Sequence, residues 1–331
     1  MIYVALIYML MSFLISIFFT PWTKKLAAQK QILDHPGDVK IHEKPIPRTG
    51  GIAIVIAFLV STLLFLGFAV DTRTLLLILS ILVIVGTGLA DDIWGLSPVQ
   101  KLAGQAIAAL VFAISQPSIL NLPPILGGIF VFLFVLLVCN AVNLIDGLDG
   151  LAAGLSVIAS IGFMVAGILT NNALVVGLSA IIAGAGLGFL PYNWPQAGVF
   201  MGDVGSLFLG FALAAIGVIA IQKTDGFVEI LIPIFILGVP IFDTVVTILR
   251  RIVNKQALFS ADLAHSYNLV KNKGLTTAGV VILYYLFGLL LSGCGVLVQL
   301  RRESYLPVLL LLIVSALSAF LVVRFRLLSK E

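Results

Sequence analysis

The chain consists of about eleven apolar windows of roughly 17 to 25 residues, the length of helix that crosses ~30 Å of hydrocarbon. Their centres fall near residues 10, 60, 82, 107, 132, 160, 181, 213, 238, 287 and 314, with short polar breaks between them. That pattern excludes an ordinary soluble domain. Charged residues make up 10% of the chain against 61% hydrophobic ones, where a soluble domain carries nearer ~25% charge. The expectation is an all-α, polytopic integral membrane protein with about eleven transmembrane helices, folded over 1–331 as one membrane-embedded unit. The first window, residues 2–20, has no basic stretch before it and no small-residue cleavage site after it, so it reads as a retained helix rather than a signal peptide.

Orientation follows from the basic residues. If the first loop, with Lys24, Lys25, Lys30, Lys40, Lys44 and Arg48, is cytoplasmic, then Lys101, Arg250, Arg251, Lys255, Lys271, Lys273, Arg324, Arg326 and Lys330 also fall inside. Only Arg73, Lys223, Arg301 and Arg302 fall outside, a split of 15 to 4. The positive-inside rule then places the N terminus outside and the C terminus inside. The formal charge of +4 reports topology and attraction to anionic headgroups, not nucleic-acid binding. Cys139 and Cys294 both lie within apolar windows, which speaks against a disulfide or a thiolate metal site.

Charged groups in a membrane chain are costly and mark function by default. Here they gather on one face. Asp91 and Asp92, Asp146 and Asp149, Asp203, Asp262 and all the histidines (His35, His42 and His265) lie in the segments this topology makes cytoplasmic. The site is therefore expected in loops 21–49, 91–98, 142–150, 191–205 and 250–275, facing the cytoplasm. Oxygen ligands without cysteine suit Mg²⁺ or Mn²⁺, and Mg²⁺ commonly takes one or two carboxylates plus phosphate oxygens. Lys44, Arg48, Lys101, Arg250 and Arg251 share that face. Carboxylates, a metal and nearby Lys and Arg are the equipment of phosphoryl transfer, which is mostly positioning and charge neutralisation. Glycines beside the acids, as in Asp146-Gly147-Leu148-Asp149-Gly150 and Gly202-Asp203-Val204-Gly205, let backbone approach a phosphate, and each group precedes a helix start.

Four segments taken together, residues 40–51, residues 91–98 with Lys101 and Gln105, residues 143–154 and residues 193–210, resemble the polyprenyl-phosphate N-acetylhexosamine-1-phosphate transferases. The order, the spacing and the eleven-helix layout agree over nearly the whole chain. The resemblance implies an enzyme of the bacterial cytoplasmic membrane. Its reaction would transfer N-acetylhexosamine-1-phosphate from a UDP-N-acetylhexosamine to undecaprenyl phosphate, giving the lipid-linked diphosphate sugar and UMP, the first membrane step of a cell-wall or surface polysaccharide. It further implies Asp203 as Mg²⁺ ligand with Asn143 as second contact, and Asp91 and Asp92 as a catalytic pair. Asp146 and Asp149 would be nucleotide-site or essential acidic residues, Asp146 counted with the catalytic group and Asp149 with the nucleotide side, Lys44 and Asn193 nucleotide contacts, and Lys101 a contact to the lipid phosphate. Arg250 and Arg251 join the nucleotide and sugar side, and a homodimer is implied by the resemblance alone.

Adjacent helical residues point about 100° apart, so Asp91 and Asp92 are not expected to share a ligand face. Asp92 is assigned the acceptor side and Asp91 a supporting role at the metal or Lys101. The lipid phosphate needs no strong base, which favours its direct attack on the β-phosphorus over an aspartyl-phosphate intermediate. One departure from the family concerns the last cytoplasmic loop. Where members commonly carry His-x-His-His, this chain has Ala264-His265-Ser266-Tyr267-Asn268. His265 is carried over as a phosphate or sugar contact, Tyr267 and Asn268 are left unassigned, and a donor other than that of the peptidoglycan branch is favoured. Asp243 lies seven residues before Arg250, spacing that suits a plain ion pair down one helix face.

Rival classes fit less well. A secondary transporter would place its acids near the midplane, often in repeated halves, and no repeat is visible. The stretch 146–154 superficially resembles a CDP-alcohol phosphotransferase signature but has Ala153 where that signature needs arginine. Aromatic prenyltransferases want a third acid after the Asp pair, where this chain has Gly95.

Overall fold

Helix ends from distant parts of the chain meet at one end of a bundle, where Asp91, Asp92, Lys101, Asn143 and Asp203 come together. The structure, a computed structural model, describes residues 1–35, 44–67, 71–116, 119–222, 226–256, 265–272, 274–325 and 327–328. His42 and Asp262, and the basic residues Lys40, Lys223, Lys273, Arg326 and Lys330, lie outside the described residues. In chain order the elements are α1 (Ile2–Gln29), an antiparallel ribbon of β1 (Leu33–Asp34) and β2 (Ile46–Pro47), α2 (Gly51–Phe65), α3 (Thr72–Trp94), α4 (Pro98–Ile114), α5 (Pro124–Ile145), α6 (Leu151–Leu169), α7 (Ala173–Asn193) and α8 (Gly202–Ile221). A 3₁₀ turn (Phe227–Ile230), α9 (Leu231–Ile236), α10 (Gly238–Val253), α11 (Ser266–Lys271), α12 (Thr277–Leu300) and α13 (Leu306–Arg324) complete it.

Among the described residues, eight helices are long and apolar enough to cross a membrane: α1, α3, α5, α6, α7, α8, α12 and α13. Two of the remaining sequence windows hold the shorter apolar helices α2 and α4. The last holds a pair bent by 89°, the 3₁₀ turn with α9 followed by α10. The bend falls at Leu237, three residues before Pro240, whose missing N–H cannot bond the carbonyl a turn earlier, so that a continuous helix breaks.

α8 is the axis of the molecule, with 94% of its apolar window buried. Its Phe208 and Phe211 make edge-to-face contacts with Phe58 of α2 and Phe112 of α4, ring centroids 5.1 and 5.6 Å apart. Lipid tails are as apolar as leucine, so membrane helices associate through small residues and interhelical hydrogen bonds. α1 and α7 do both: Ser12 and Ser16 donate to the carbonyls of Ile181 and Ala185 at 2.8 and 2.7 Å. A Cβ on Gly184 would lie 2.1 Å from the carbonyl oxygen of Met9. By contrast only 6% of the α13 window is buried.

The two ends of the bundle are distinguished by contacts at α1. Near its start Tyr8 bonds the carbonyl of Leu64 at the end of α2; near its close the carbonyl of Thr23 accepts from Thr49. Leu328, beyond α13, accepts from Asn254 at the end of α10. Tyr8 and Leu328 thus lie at opposite ends, with Leu328 at the end that holds Thr49, Asp91, Lys101, Asn143 and Asp203.

Candidate active site

The site forms where the C-terminal ends of α3 and α5 meet the N-terminal starts of α2, α4 and α8. Backbone bonds stitch the first loop to the segment before α8: Phe200 N to the carbonyl of Pro47 (2.7 Å), Gly50 N to that of Phe200 (2.9 Å) and Gly51 N to that of Met201 (2.8 Å). Arg48 is thereby delivered over Asp203. Between them sits Gly202 with φ of 72°, where a Cβ would lie 2.2 Å from the Arg48 carbonyl oxygen. Both the left-handed backbone and the close approach require glycine.

Asp203 is the hub. Its Oδ1 accepts from Lys101 Nζ and from Asn143 Nδ2, and its Oδ2 meets Arg48 Nη2 at 3.0 Å. Asn143 also donates to Ser206 Oγ at 2.8 Å, which fixes its amide. Lys101 reaches Asp91 Oδ2 at 2.9 Å, and Asp91 Oδ1 accepts from Leu96 N at 2.7 Å. Lys101 is set at this height because α4 starts at Ser97, whose side chain and that of Gln100 form a reciprocal capping box.

Asp92 faces elsewhere. Its carboxylate accepts from the backbone N–H of Asp203 (2.9 Å) and of Val204 (3.0 Å), and from Arg48 Nη2 at 2.8 Å. It caps α8 from another helix, satisfying two orphan donors and placing negative charge at the positive end of that helix dipole. The two neighbouring acids therefore serve different partners, as their angular separation requires. The Asp92 side chain has no exposure, and it holds Arg48 and the turn carrying Asp203.

Asp146 follows the last turn of α5, and its carboxylate makes no hydrogen bond among the described residues. Burial, then the charges of Asp203, Asp92 and Asp149, push it well above the usual carboxylate range. Arg48 is held the other way: burial opposes its charge, but Asp92 and Asp203 more than offset that and raise its pKa.

Asp149 and Asn193 build the wall. Asp149 accepts from Ala197 N (2.9 Å), while Asn193 accepts from Gly150 N (2.9 Å) and donates to the carbonyl of Val199 (3.0 Å). Tyr285 of α12 adds a bond to the carbonyl of Gly150 at 2.6 Å. Lys44 is exposed beside the ribbon, whereas Arg250 and Arg251 are buried at the end of α10.

Among the described residues no three His, Cys, Asp or Glu side chains converge as a metal cage. The oxygen donors of Asp203, Asn143 and Asp146 nonetheless suit a Mg²⁺ that takes one or two carboxylates and completes its shell with phosphate and water. Two cationic side chains already crowd Asp203, and the bare Asp146 carboxylate beside it lacks one.

The sequence model of glycosyl transferase family 4 matches residues 74–221, which carry Asp91, Asp92, Lys101, Asn143, Asp146, Asp149, Asn193 and Asp203. A Bacillus subtilis (strain 168) protein named probable undecaprenyl-phosphate N-acetylglucosaminyl 1-phosphate transferase is 36% identical over 300 residues, 88% of this chain and 84% of its own. The chain belongs to glycosyl transferase family 4. Two further relatives of this family 4 chain are named differently. A Mycobacterium leprae decaprenyl-phosphate N-acetylglucosaminephosphotransferase is 33% identical, covering 83% of this chain and 78% of its own. A Shouchella clausii phospho-N-acetylmuramoyl-pentapeptide-transferase is 34% identical, covering 84% and 91%.

In the family 4 chain the start of α11 brings His265 to α10 rather than to the Asp203 cluster. His265 Nδ1 lies 3.1 Å from Asp243 Oδ2. Asp243 is not stacked on Arg250, as the seven-residue spacing suggested, because His265 and Ser266 occupy its carboxylate. Two participants escaped the sequence-level assignment. Arg48 was visible only as one of several basic residues in its loop, and nothing short of the fold joins it to both Asp92 and Asp203. Asp243 had a signal, a lone acid in an apolar window, but its partner lies 22 residues on.

Proposed function

We propose that the chain transfers N-acetylhexosamine-1-phosphate from a UDP-sugar to undecaprenyl phosphate, releasing UMP, as a single transferase unit over 1–331 in the bacterial cytoplasmic membrane. The observation that carries this is the Asp203 hub, where Lys101, Arg48 and Asn143 converge on one carboxylate beside Asp146. Sugar-phosphate transfer to polyprenyl phosphates in the relatives' names supports it. In this reading the helices make eleven crossings, with the N terminus outside and the C terminus and active site at the cytoplasmic face. The charge split of the loops and the opposite placement of Tyr8 and Leu328 support that topology.

Asp203 and Asn143, with Asp146, would hold Mg²⁺ or Mn²⁺, which when bound neutralises the donor diphosphate. Lys101 and Arg48, held in place by Asp91 and Asp92, offer their charges to phosphate oxygens as the lipid phosphate attacks the β-phosphorus and the bond to UMP breaks. The exposed Ile93, Trp94 and Val99 between Asp92 and Lys101 give a prenyl chain an apolar approach to that lysine. Purified protein in detergent with Mg²⁺ and undecaprenyl phosphate, offered UDP-GlcNAc and other UDP-N-acetyl sugars in parallel, is expected to release UMP with one donor only in the presence of the lipid. Asp203→Asn should lower that rate by about 10²–10³-fold, the effect of losing a preorganised electrostatic group. Lipid-independent release, or none with any donor, would refute the assignment.

A further inference from the structure

Asp243 is the most deeply enclosed acid in the described chain whose charge the reaction above leaves unused. It sits on the buried face of α10 with no exposure. Oδ1 accepts from the backbone N of Ser266 at 3.0 Å and from the Ser266 hydroxyl, which is in turn bonded to the hydroxyl of Tyr284 on α12. Oδ2 takes the remaining partner, Nδ1 of His265 at 3.1 Å. Burying a carboxylate is costly unless its oxygens are satisfied, and here three donors from one short segment satisfy it. None of the three is a lysine or an arginine.

The imidazole is fixed in two further ways. Its ring lies flat on Tyr267, centroids 5.3 Å apart and planes 1° from parallel. Tyr267 in turn packs on Gly147, where a Cβ would lie 1.9 Å from the phenol oxygen. The ring is thus tied through Tyr267 to the turn that carries Asp146 and Asp149. Nε2 makes no hydrogen bond among the described residues, and the residue keeps 7% exposure. A carboxylate on Nδ1 fixes both the tautomer and the direction of the opposite nitrogen.

We infer that Asp243 is a positioning residue for the sugar-phosphate transfer, holding His265 with its proton on Nδ1 and its Nε2 presented to the sugar-phosphate portion of the donor. Ser266 and Tyr284 secure the carboxylate, and Tyr267 sets the plane of the ring. The inference rests on the transfer reaction proposed above. Asp243 never touches substrate; everything it contributes passes through His265.

A double-mutant cycle tests this. Asp243→Asn keeps the size of the side chain but can donate to Nδ1, which forces the other tautomer. Asp243→Asn and His265→Gln are each expected to lower kcat/KM by about 10–100-fold, the usual cost of removing an orienting partner, with the same division between kcat and KM. Together they should cost no more than His265→Gln alone, because residues that act as a unit are not additive. Additive losses, or a division in Asp243→Asn unlike that of His265→Gln, would overturn the inference. If Asp243→Asn does not accumulate as folded protein, Ser266→Ala must show a smaller loss with the same division, or the inference fails.

A second readout is independent of activity. In protein labelled with ¹⁵N-histidine, with His265→Gln used to assign one of the three histidines, the His265 signal should report a proton on Nδ1 and change in Asp243→Asn. Wild-type protein that releases no UMP yet shows that change would remove the proposed reaction and leave the orienting pair standing. No change would remove the pair whatever the reaction proves to be.

Discussion

Asp146 is the residue at which charge and fold are most at odds. Its carboxyl titrates well above the ordinary range, chiefly through burial and then through Asp203 and Asp92. An acid whose folded pKa is raised adds nothing unfavourable at a pH below its unfolded value near ~4. It destabilises the fold progressively as pH rises toward the folded value, and by a constant amount above that. Asp146→Asn should therefore melt at a higher temperature than wild type at neutral pH without Mg²⁺, by about 2–4 °C for each kcal/mol relieved. The two curves should converge in acid. Added Mg²⁺ should stabilise wild type more than the variant. A gap in melting temperature that does not vary with pH would mean the charge is not its source.

Among the elements, α3 and α8 are set at their distance by one missing side chain. A Cβ on Gly88 would fall 2.5 Å from Cα and 2.6 Å from N of Val204, and 2.6 Å from the carbonyl oxygen of Asp203. These are backbone atoms, which cannot turn aside as a flexible side chain can. Gly88→Ala gains roughly 0.5–1 kcal/mol of helix preference but meets an overpacking cost of about 1–3 kcal/mol. Lower thermal stability is expected, together with a loss of UMP release larger than stability alone explains, because Asp92 rides on α3 and caps α8. A variant with wild-type stability and turnover would show that the helices separate without disturbing the cap. The existence of these helices was legible in the sequence, since apolar length is a one-dimensional signal. So was the set of acids, because ionisable groups stand out in an apolar chain. Their division of labour was not: Asp91 on Lys101, Asp92 on Arg48 and two backbone N–H groups, and Asp243 on His265 all depend on which helix end meets which. An acceptor-side role was expected for Asp92 from its position; what position alone did not show is that its oxygens take the backbone N–H groups of Asp203 and Val204 and the Arg48 guanidinium.

The whole molecule has two unlike ends. One carries the cluster around Asp203 together with the C-terminal segment, and the other carries the N terminus and the turn at residues 301–305 between α12 and α13. Cysteines at Ser97 and at Ser304, in a background without the buried Cys139 and Cys294, should separate them. In intact cells a membrane-impermeant maleimide is expected to label Ser304→Cys, and to label Ser97→Cys only after lysis. The reverse pattern would invert the orientation drawn from the 15 to 4 split of basic residues. A long chain of apolar windows tells how many times it turns but not which helix lies at the centre. α8 resembles its neighbours in composition, and only packing makes it the axis.

That central position has a consequence for how the host bilayer acts on the protein. With 94% of its apolar window enclosed by protein, against 17% for α1 and 6% for α13, α8 has almost no surface on which lipid thickness can pull. Mismatch is absorbed by tilting whatever helices the lipid touches, and those are the rim. Peripheral helices act as a compliant sleeve around a stiff spindle, so membranes of different thickness can strain the outside of the molecule while the carboxylate at the head of that spindle keeps its place.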